Sequence, residues 1–316
     1  MKKWKVLITD EIFPEVVEKL RKYAEVEIGI RDKKELIEKV KDCDALFSFL
    51  KDPVDKEVMD AAPRLKIVAN YAVGYDNIDV DYAKKKGIVV TNTPGLLTEA
   101  TADLTWALIL SVARRVVEAD RFTREGKFKG WKADLMLGME LNGAVLGIIG
   151  MGRIGKAVAR RALGFGMKVI YYDIKKLEKE EEERLKATFV PLDDLLQQAD
   201  VISIHTPLTP QTRNLIDRER VYKIKNGAIF INTARGAVVD EEALIERLEE
   251  GSLMGAGFDV YKEEPKVNPR LIKLNNVVLL PHIGSATWKT RLAMAHLVAD
   301  NIIAVLEGRK PLTPVN

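Results

Sequence analysis

Three residues in the second half of the chain are of types that could do chemistry together: Arg235 in AIFINTARG, Glu264 in DVYKEEP and His282 in VVLLPHIG. Each follows a short apolar run that reads as a strand. An arginine past a strand end can clamp a carboxylate through two parallel hydrogen bonds, and it can equally be a surface residue. A glutamate before a proline can be an ordinary loop acid, and a lone histidine is more often structural than catalytic. As a set they are equipment for reducing a 2-oxo acid. The arginine would hold the carboxylate and polarise the carbonyl, and the histidine would give a proton to the carbonyl oxygen. The glutamate would hold the imidazole in one orientation and stabilise its charged form.

Such a reduction needs a hydride, and VLGIIGMGRIGKAVARRALGFGMKVIYYD (145–173) points to its source. Gly150, Gly152 and Gly155 form G-x-G-x-x-G between an apolar strand and the helix Arg153–Leu163. The first glycine permits a tight turn, the second lets a pyrophosphate approach the backbone, and the third lets helix and strand pack closely. The free N–H groups and the helix dipole favour an anion there. The next strand ends on Asp173, 18 residues past the third glycine. A carboxylate there accepts hydrogen bonds from ribose hydroxyls and repels a 2′-phosphate, so NAD(H) is preferred. Lys175 and Lys176 follow closely and could attract a phosphate, so NADP(H) stays open. The alternative is a plain strand-to-helix turn.

These residues must be positioned by an α/β framework. Strand-like runs at Lys5–Thr9, Val26–Ile30, Ala45–Phe49, Lys66–Tyr71 and Ile88–Asn92 alternate with helix-like stretches such as Pro14–Tyr23 and Lys33–Val40. A break at NTPGLLT (92–98) precedes one long helical stretch from Glu99 to about Glu125. A second set of strands follows at Val145–Gly150, Lys168–Tyr172, Val201–Thr206, Ala228–Thr233, Ala256–Val260 and Val277–Leu280. Asp240–Glu250 and Thr287–Leu306 read as helices. The alternation predicts two doubly wound, Rossmann-like α/β domains with parallel sheets and a cleft between them.

Composition narrows the classes. The 316 residues carry 50 basic and 47 acidic groups, a net charge of only +3, which argues against a nucleic-acid partner. The charge run Lys175–Lys186 reads as a solvated helix face. No stretch approaches the roughly 20 apolar residues of a membrane helix, and MKKWKVLITDE reads as a first strand rather than a signal peptide, so a cytoplasmic protein is expected. Cys43, the only cysteine, allows no intrachain disulfide and reads as inert. With three scattered histidines no metal site is expected.

Five segments carry a resemblance: NYAVGYDNID (70–79), GIIGMGRIGKAVA (147–159), INTARGAVVDEEAL (231–244), AGFDVYKEEP (256–265) and LPHIGSAT (280–287). In this order they resemble the D-isomer-specific 2-hydroxyacid dehydrogenase family over nearly the whole chain. The resemblance implies a discontinuous substrate-binding domain, residues 1–97 plus 288–316, around a dinucleotide-binding domain of residues 98–287. It puts the catalytic set on Arg235, Glu264 and His282. It implies cofactor contacts at Thr101, Arg153, Ile154, Asp173, Thr233, Ala234, Asp259 and Gly284. His205 and Pro207 would flank the adenosine with Thr212 nearby, although His205 can also be an ordinary strand-end histidine. Backbone amides of Ala72, Val73 and Gly74 would meet the substrate carboxylate, with Leu50 lining the pocket.

Within the family the HIGSATWKTRLAMA tail and the 126–138 segment resemble glyoxylate and hydroxypyruvate reductases. There Trp131 would reach the partner subunit's site, or else be a surface or interface aromatic, and Trp288 would help shape the pocket. His296 would be packing or surface. The helix after Thr98 resembles the family's dimer-forming element, which implies a homodimer. The phosphite dehydrogenase branch has a lysine where this chain has Val73, which lowers that reading. The chain ends soon after its last helix, without the extension of long 3-phosphoglycerate dehydrogenases. The resemblance implies NAD(P)H-dependent reduction of glyoxylate to glycolate and of hydroxypyruvate to D-glycerate. The alternatives are a reductase of 2-ketogluconate or another D-2-hydroxyacid dehydrogenase, or an NAD(H)-sensing binding protein.

Overall fold

The computed structural model describes residues 4–316; the first three residues of the N-terminal stretch lie outside the described residues. The chain divides into two compact units. One runs up to Leu97 and takes in Ala286–Asn316, and the other is Thr98–Ser285. Each is built on one parallel sheet, so the two-domain Rossmann-like α/β reading holds.

The first unit contains β1 (Trp4–Ile8), β2 (Ala24–Ile28), β3 (Ala45–Ser48), β4 (Ile67–Asn70) and β5 (Val89–Thr91), in the order β2-β1-β3-β4-β5. The central strands β3 and β4 are buried throughout, as expected of parallel strands covered on both faces. The 19-residue helix Trp288–Leu306, capped by the Thr287 hydroxyl, closes one face with Ala295, Val298, Ala299 and Ile302. Each fully buried valine, leucine or isoleucine of such a core contributes about 1.5–3 kcal/mol.

The second unit contains β6 (Val145–Ile149), β7 (Lys168–Tyr172), β8 (Ala187–Phe189), β9 (Val201–Ile204), β10 (Ile229–Asn232), β11 (Gly255–Phe258) and β12 (Val277–Leu279). Their order is β12-β11-β10-β9-β6-β7-β8. The chain starts at β6, winds out to β8, then returns to β9 on the other side of β6. That reversal lies between β6 and β9, and the carboxyl ends of strands at such a point form a ligand crevice.

Two elements depart from the sequence expectation. β8 went unread because it is three residues long, at the sheet edge, directly after the charged run. The long helix after Thr98 is two helices, Thr98–Ala113 and Val116–Arg124. Arg115 takes a left-handed conformation (φ +51°), and the Ala113 carbonyl accepts the Met139 amide at 2.8 Å instead of continuing the helix. The charged run does form a helix, Lys179–Leu185, with only Leu185 buried. Cys43 is buried ahead of β3, and burial pushes its thiol up to about 12, which suits an inert residue. Among the described residues no helix is long and apolar enough to cross a membrane, and no cluster of His, Cys, Asp and Glu could hold a metal ion.

Candidate active site

The glycine turn follows β6, on one side of the strand reversal. Gly150 has φ +96°, and a Cβ there would lie 2.7 Å from the His205 carbonyl carbon and 2.9 Å from the Thr206 amide, so only glycine fits between the two strand ends. A Cβ on Gly155 would meet the Gly150 carbonyl oxygen at 2.2 Å, which lets the helix Arg153–Ala162 start tight against its strand. Gly152, at the N-cap, has open space where a Cβ would be and supplies no side-chain cap. The first amides of the helix are therefore left for an outside acceptor, with room for it to approach. This cradle fits a dinucleotide pyrophosphate.

Asp173 follows β7 as expected. Its carboxylate accepts the Met151 amide at 2.6 Å and the Lys175 amide at 3.2 Å, so it braces the glycine turn as well as facing the neighbouring loop. Lys176 is spoken for in part by Glu182, 3.7 Å away. The next residue, Ile174, is 96% exposed. On the β9 side, His205 Nε2 lies 2.8 Å from the Ser203 hydroxyl, and burial pushes its imidazole down to about 3, so it is neutral. The Thr212 hydroxyl donates to the Pro207 carbonyl at 2.6 Å and closes this loop. Thr206 Oγ1, next to the glycine turn, is buried without a partner among the described residues.

Arg235, Glu264 and His282 sit beyond the ends of β10, β11 and β12, three adjacent strands. The Arg235 turn is shaped by buried Asn232, whose side chain donates to the Arg235 carbonyl at 2.9 Å and accepts the Ala234 amide at 3.0 Å. Thr233 and Thr105 pair through their hydroxyls at 3.0 Å. A Cβ on Gly236 would stand 2.1 Å from the Tyr261 carbonyl carbon and 2.3 Å from the Lys262 nitrogen. The segment leading to Glu264 thus lies directly against the segment leaving Arg235, at a distance only glycine allows.

Glu264 Oε1 accepts the Tyr261 amide at 3.0 Å, and Oε2 lies 2.7 Å from His282 Nδ1. Burial alone would raise the Glu264 carboxyl. The His282 hydrogen bond and charge, the Tyr261 amide and the Arg235 charge outweigh it and hold the carboxyl below its usual value. An ionised carboxylate only accepts, so Nδ1 carries the hydrogen and Nε2 is left for a reaction partner. Both side chains keep about a third of their exposure, 32% for His282 and 34% for Glu264.

His282 itself has φ +54°, a left-handed conformation costing an L-residue roughly 1–2 kcal/mol. Buried Asp259 offsets that cost by accepting the Ile283 and Gly284 amides, both at 2.7 Å. Burial raises the Asp259 carboxyl, and these amides only partly oppose it. Tyr261 donates its hydroxyl to the Leu280 carbonyl at 2.8 Å, and Thr101 donates to the Gly284 carbonyl at 3.2 Å. Asp259, Thr101 and Gly284, expected at the cofactor, thus also hold the histidine loop. Gly236 and Tyr261 were missed in the sequence, because their signal is a close approach between loops far apart in the chain, and Asn232, whose bonds are local, read only as part of its strand.

In the first unit the expected substrate residues lie beyond β3 and β4. Leu50 sits in a turn held by Asp52, whose carboxylate accepts the Phe49 amide at 2.8 Å and the Thr9 hydroxyl. Val73 and Gly74 follow β4, with their carbonyls bonded to Asn92 and Asn70. Trp288 is 82% exposed and stacks obliquely on Phe13, while His296 reaches Glu15 at 3.1 Å. Trp131, in the second unit, is 85% exposed on an irregular segment.

The fold and this loop cluster define a class, the NAD(P)-dependent oxidoreductases. A family model described as "D-isomer specific 2-hydroxyacid dehydrogenase, NAD binding domain" matches residues 106–284. Full-length relatives agree. A glyoxylate reductase of Korarchaeum cryptofilum is 52% identical over 318 aligned positions, covering 99% of this chain and 96% of that protein. The crystal structure of a Thermus thermophilus protein superposes with a TM-score of 0.93 at 48% identity, covering 99% of this chain and 100% of that one. A Sinorhizobium meliloti NADPH-dependent glyoxylate/hydroxypyruvate reductase, solved with NADP and malonate, gives 0.90 at 35% identity, covering 99% and 97%. The chain belongs to the D-isomer-specific 2-hydroxyacid dehydrogenase family.

Proposed function

We propose that this protein reduces glyoxylate to glycolate, and hydroxypyruvate to D-glycerate, using a nicotinamide dinucleotide. The observation that carries the reading is the His282–Glu264 pair: an ionised carboxylate fixes the Nδ1–H, so protonated His282 can deliver a proton from Nε2 to a carbonyl oxygen. Arg235 clamps the substrate carboxylate, and the amides of Val73 and Gly74 assist. When bound, the nicotinamide supplies the hydride to C2. Gly150, Gly152, Arg153, Ile154 and Gly155 hold the pyrophosphate. Asp173 takes the ribose hydroxyls, and exposed Ile174 offers an apolar face to the adenine. Asp173 favours NAD(H) over NADP(H). The names of the relatives, glyoxylate reductases at about half identity, support the substrate class.

The test is steady-state oxidation of NADH, and separately of NADPH, with glyoxylate, hydroxypyruvate, pyruvate and 2-ketogluconate. Fast turnover on the first two, NADH favoured, is the expected result. Tight cofactor binding without turnover on any of them would contradict the reading and favour a cofactor-sensing protein.

The active form is read as a homodimer. Exposed Val116, Val117, Phe128, Trp131 and Leu137 crowd one stretch of the second unit, and a second copy would bury them. Sedimentation equilibrium giving a monomer mass would oppose this. A cytoplasmic setting suits a chain whose single cysteine is buried and reduced.

A further inference from the structure

The segment Ala72–Gly74 carries no charged side chain, yet the proposed function asks it to hold a carboxylate. Its carbonyls show how. The Thr93 amide donates to the Ala72 carbonyl at 2.8 Å, Asn92 Nδ2 to the Val73 carbonyl at 2.7 Å, and Asn70 Nδ2 to the Gly74 carbonyl at 2.8 Å. In a trans peptide the carbonyl and the following N–H point in opposite directions. Each pinned carbonyl therefore aims one amide, those of Val73, Gly74 and Tyr75, away from its own donor. None of these three amides has an acceptor among the described residues. Successive unpaired amides form an anion-binding concavity, and its strength depends on their being held in place before the ligand arrives.

The two asparagines are themselves braced. Asn70 is fully buried; its Oδ1 accepts the Ser48 hydroxyl at 3.1 Å and Asn77 Nδ2 at 3.4 Å. Asn77 Nδ2 also donates to the Phe49 and Asp52 carbonyls, at 3.2 and 3.0 Å, on either side of Leu50. Asn92 exchanges bonds with Thr313: its amide donates to the Thr313 carbonyl at 3.3 Å, and the Thr313 hydroxyl donates to its carbonyl at 2.6 Å. Buried Asn301 in turn donates to the Thr313 hydroxyl at 2.9 Å. One side-chain network thus sets both the amide loop and the Leu50 turn.

We propose that Asn92 and Asn70 are positioning residues that fix the Ala72–Gly74 backbone so that its amides receive the carboxylate of a 2-oxo acid. This rests on the reading that the protein reduces such acids. The variant Asn92→Ala frees the Val73 carbonyl without touching a charge. The expected result is a KM for glyoxylate raised about tenfold, the worth of one well-placed hydrogen bond, with kcat within about threefold of the wild type. The dissociation constant for oxamate in the presence of NADH should rise by the same factor. NADH affinity, read by fluorescence, should stay unchanged. Asn92→Ser keeps a donor and should recover part of the loss. Asn70→Ser should act alike while lowering Tm; if it fails to fold, Asn92 carries the test.

Equal glyoxylate KM and equal oxamate affinity in wild type and Asn92→Ala would overturn the proposal. Absence of wild-type turnover on every 2-oxo acid would overturn the functional reading instead, and the oxamate comparison would still decide this one. A wild type that binds no oxamate would overturn both.

Discussion

Beyond β10, β11 and β12 the proposed chemistry rests on side chains: a glutamate hydrogen-bonded to a histidine, with the charge of an arginine acting on the glutamate. Beyond β3 and β4, in the other sheet, the proposed carboxylate contact rests on the backbone, and the side chains of Asn92 and Asn70 bond the peptide carbonyls of that loop. The two regions therefore fail differently. In the first, removing one side chain removes a function. In the second, removing a side chain loosens a geometry and leaves every reacting group present.

The largest contrast is expected at His282. His282→Ala should cut glyoxylate turnover on the order of 10²–10⁴-fold, the loss typical of a missing general acid, with NADH binding retained by fluorescence titration. The Asn92→Ala change in the first unit should act on KM instead, so a kcat collapse there would erase the distinction. Next comes Gly236→Ala. The new methyl would meet the Tyr261–Lys262 backbone, and accommodating it costs about 1–3 kcal/mol. Scanning calorimetry should show Tm lowered by several degrees. Turnover should fall roughly tenfold or more, because the Glu264 segment must move. An unchanged Tm and kcat would mean that the Arg235 and Glu264 loops are not set by their contact. A smaller effect is expected at Asp173→Asn, which can still accept the Met151 amide but lacks the charge. The NADH-over-NADPH ratio of kcat/KM should drop about tenfold, the range for a hydrogen bond to a charged group. An unaltered ratio would remove Asp173 from cofactor discrimination.

The same contrast explains what the sequence disclosed. Strands such as VISI and IFIN are mostly apolar and buried at every position because both faces are covered, so most strand positions follow directly from local pattern, and G-x-G-x-x-G declares its turn because φ at Gly150 excludes other residues. Arg235, Glu264 and His282 were visible as polar residues interrupting strand ends. β8 was hidden by its length, and the break at Arg115 by its cause, an amide arriving from Met139 rather than any local breaker. Asn70 and Asn92 were invisible for a similar reason. An asparagine at a strand end looks like turn chemistry, and only the fold shows that the Asn92 amide reaches the Val73 carbonyl in another segment and that the Asn70 amide pins the Gly74 carbonyl. Gly236 looked like an ordinary neighbour of Arg235 until the Tyr261 segment closed over it.

The most direct test of the central claim, that His282 held by Glu264 delivers the proton, is the pH dependence of kcat for glyoxylate reduction in the wild type and in Glu264→Gln. The Glu264 carboxyl is held below its usual value, so it is negatively charged throughout the neutral range, and it lies 2.7 Å from His282 Nδ1. Glu264→Gln removes that negative charge while keeping a hydrogen-bond acceptor at the same position. The account predicts that the alkaline fall in kcat moves to lower pH in the variant, with activity partly recovered on the acid side. Superimposable profiles would contradict it and leave the proton to another group.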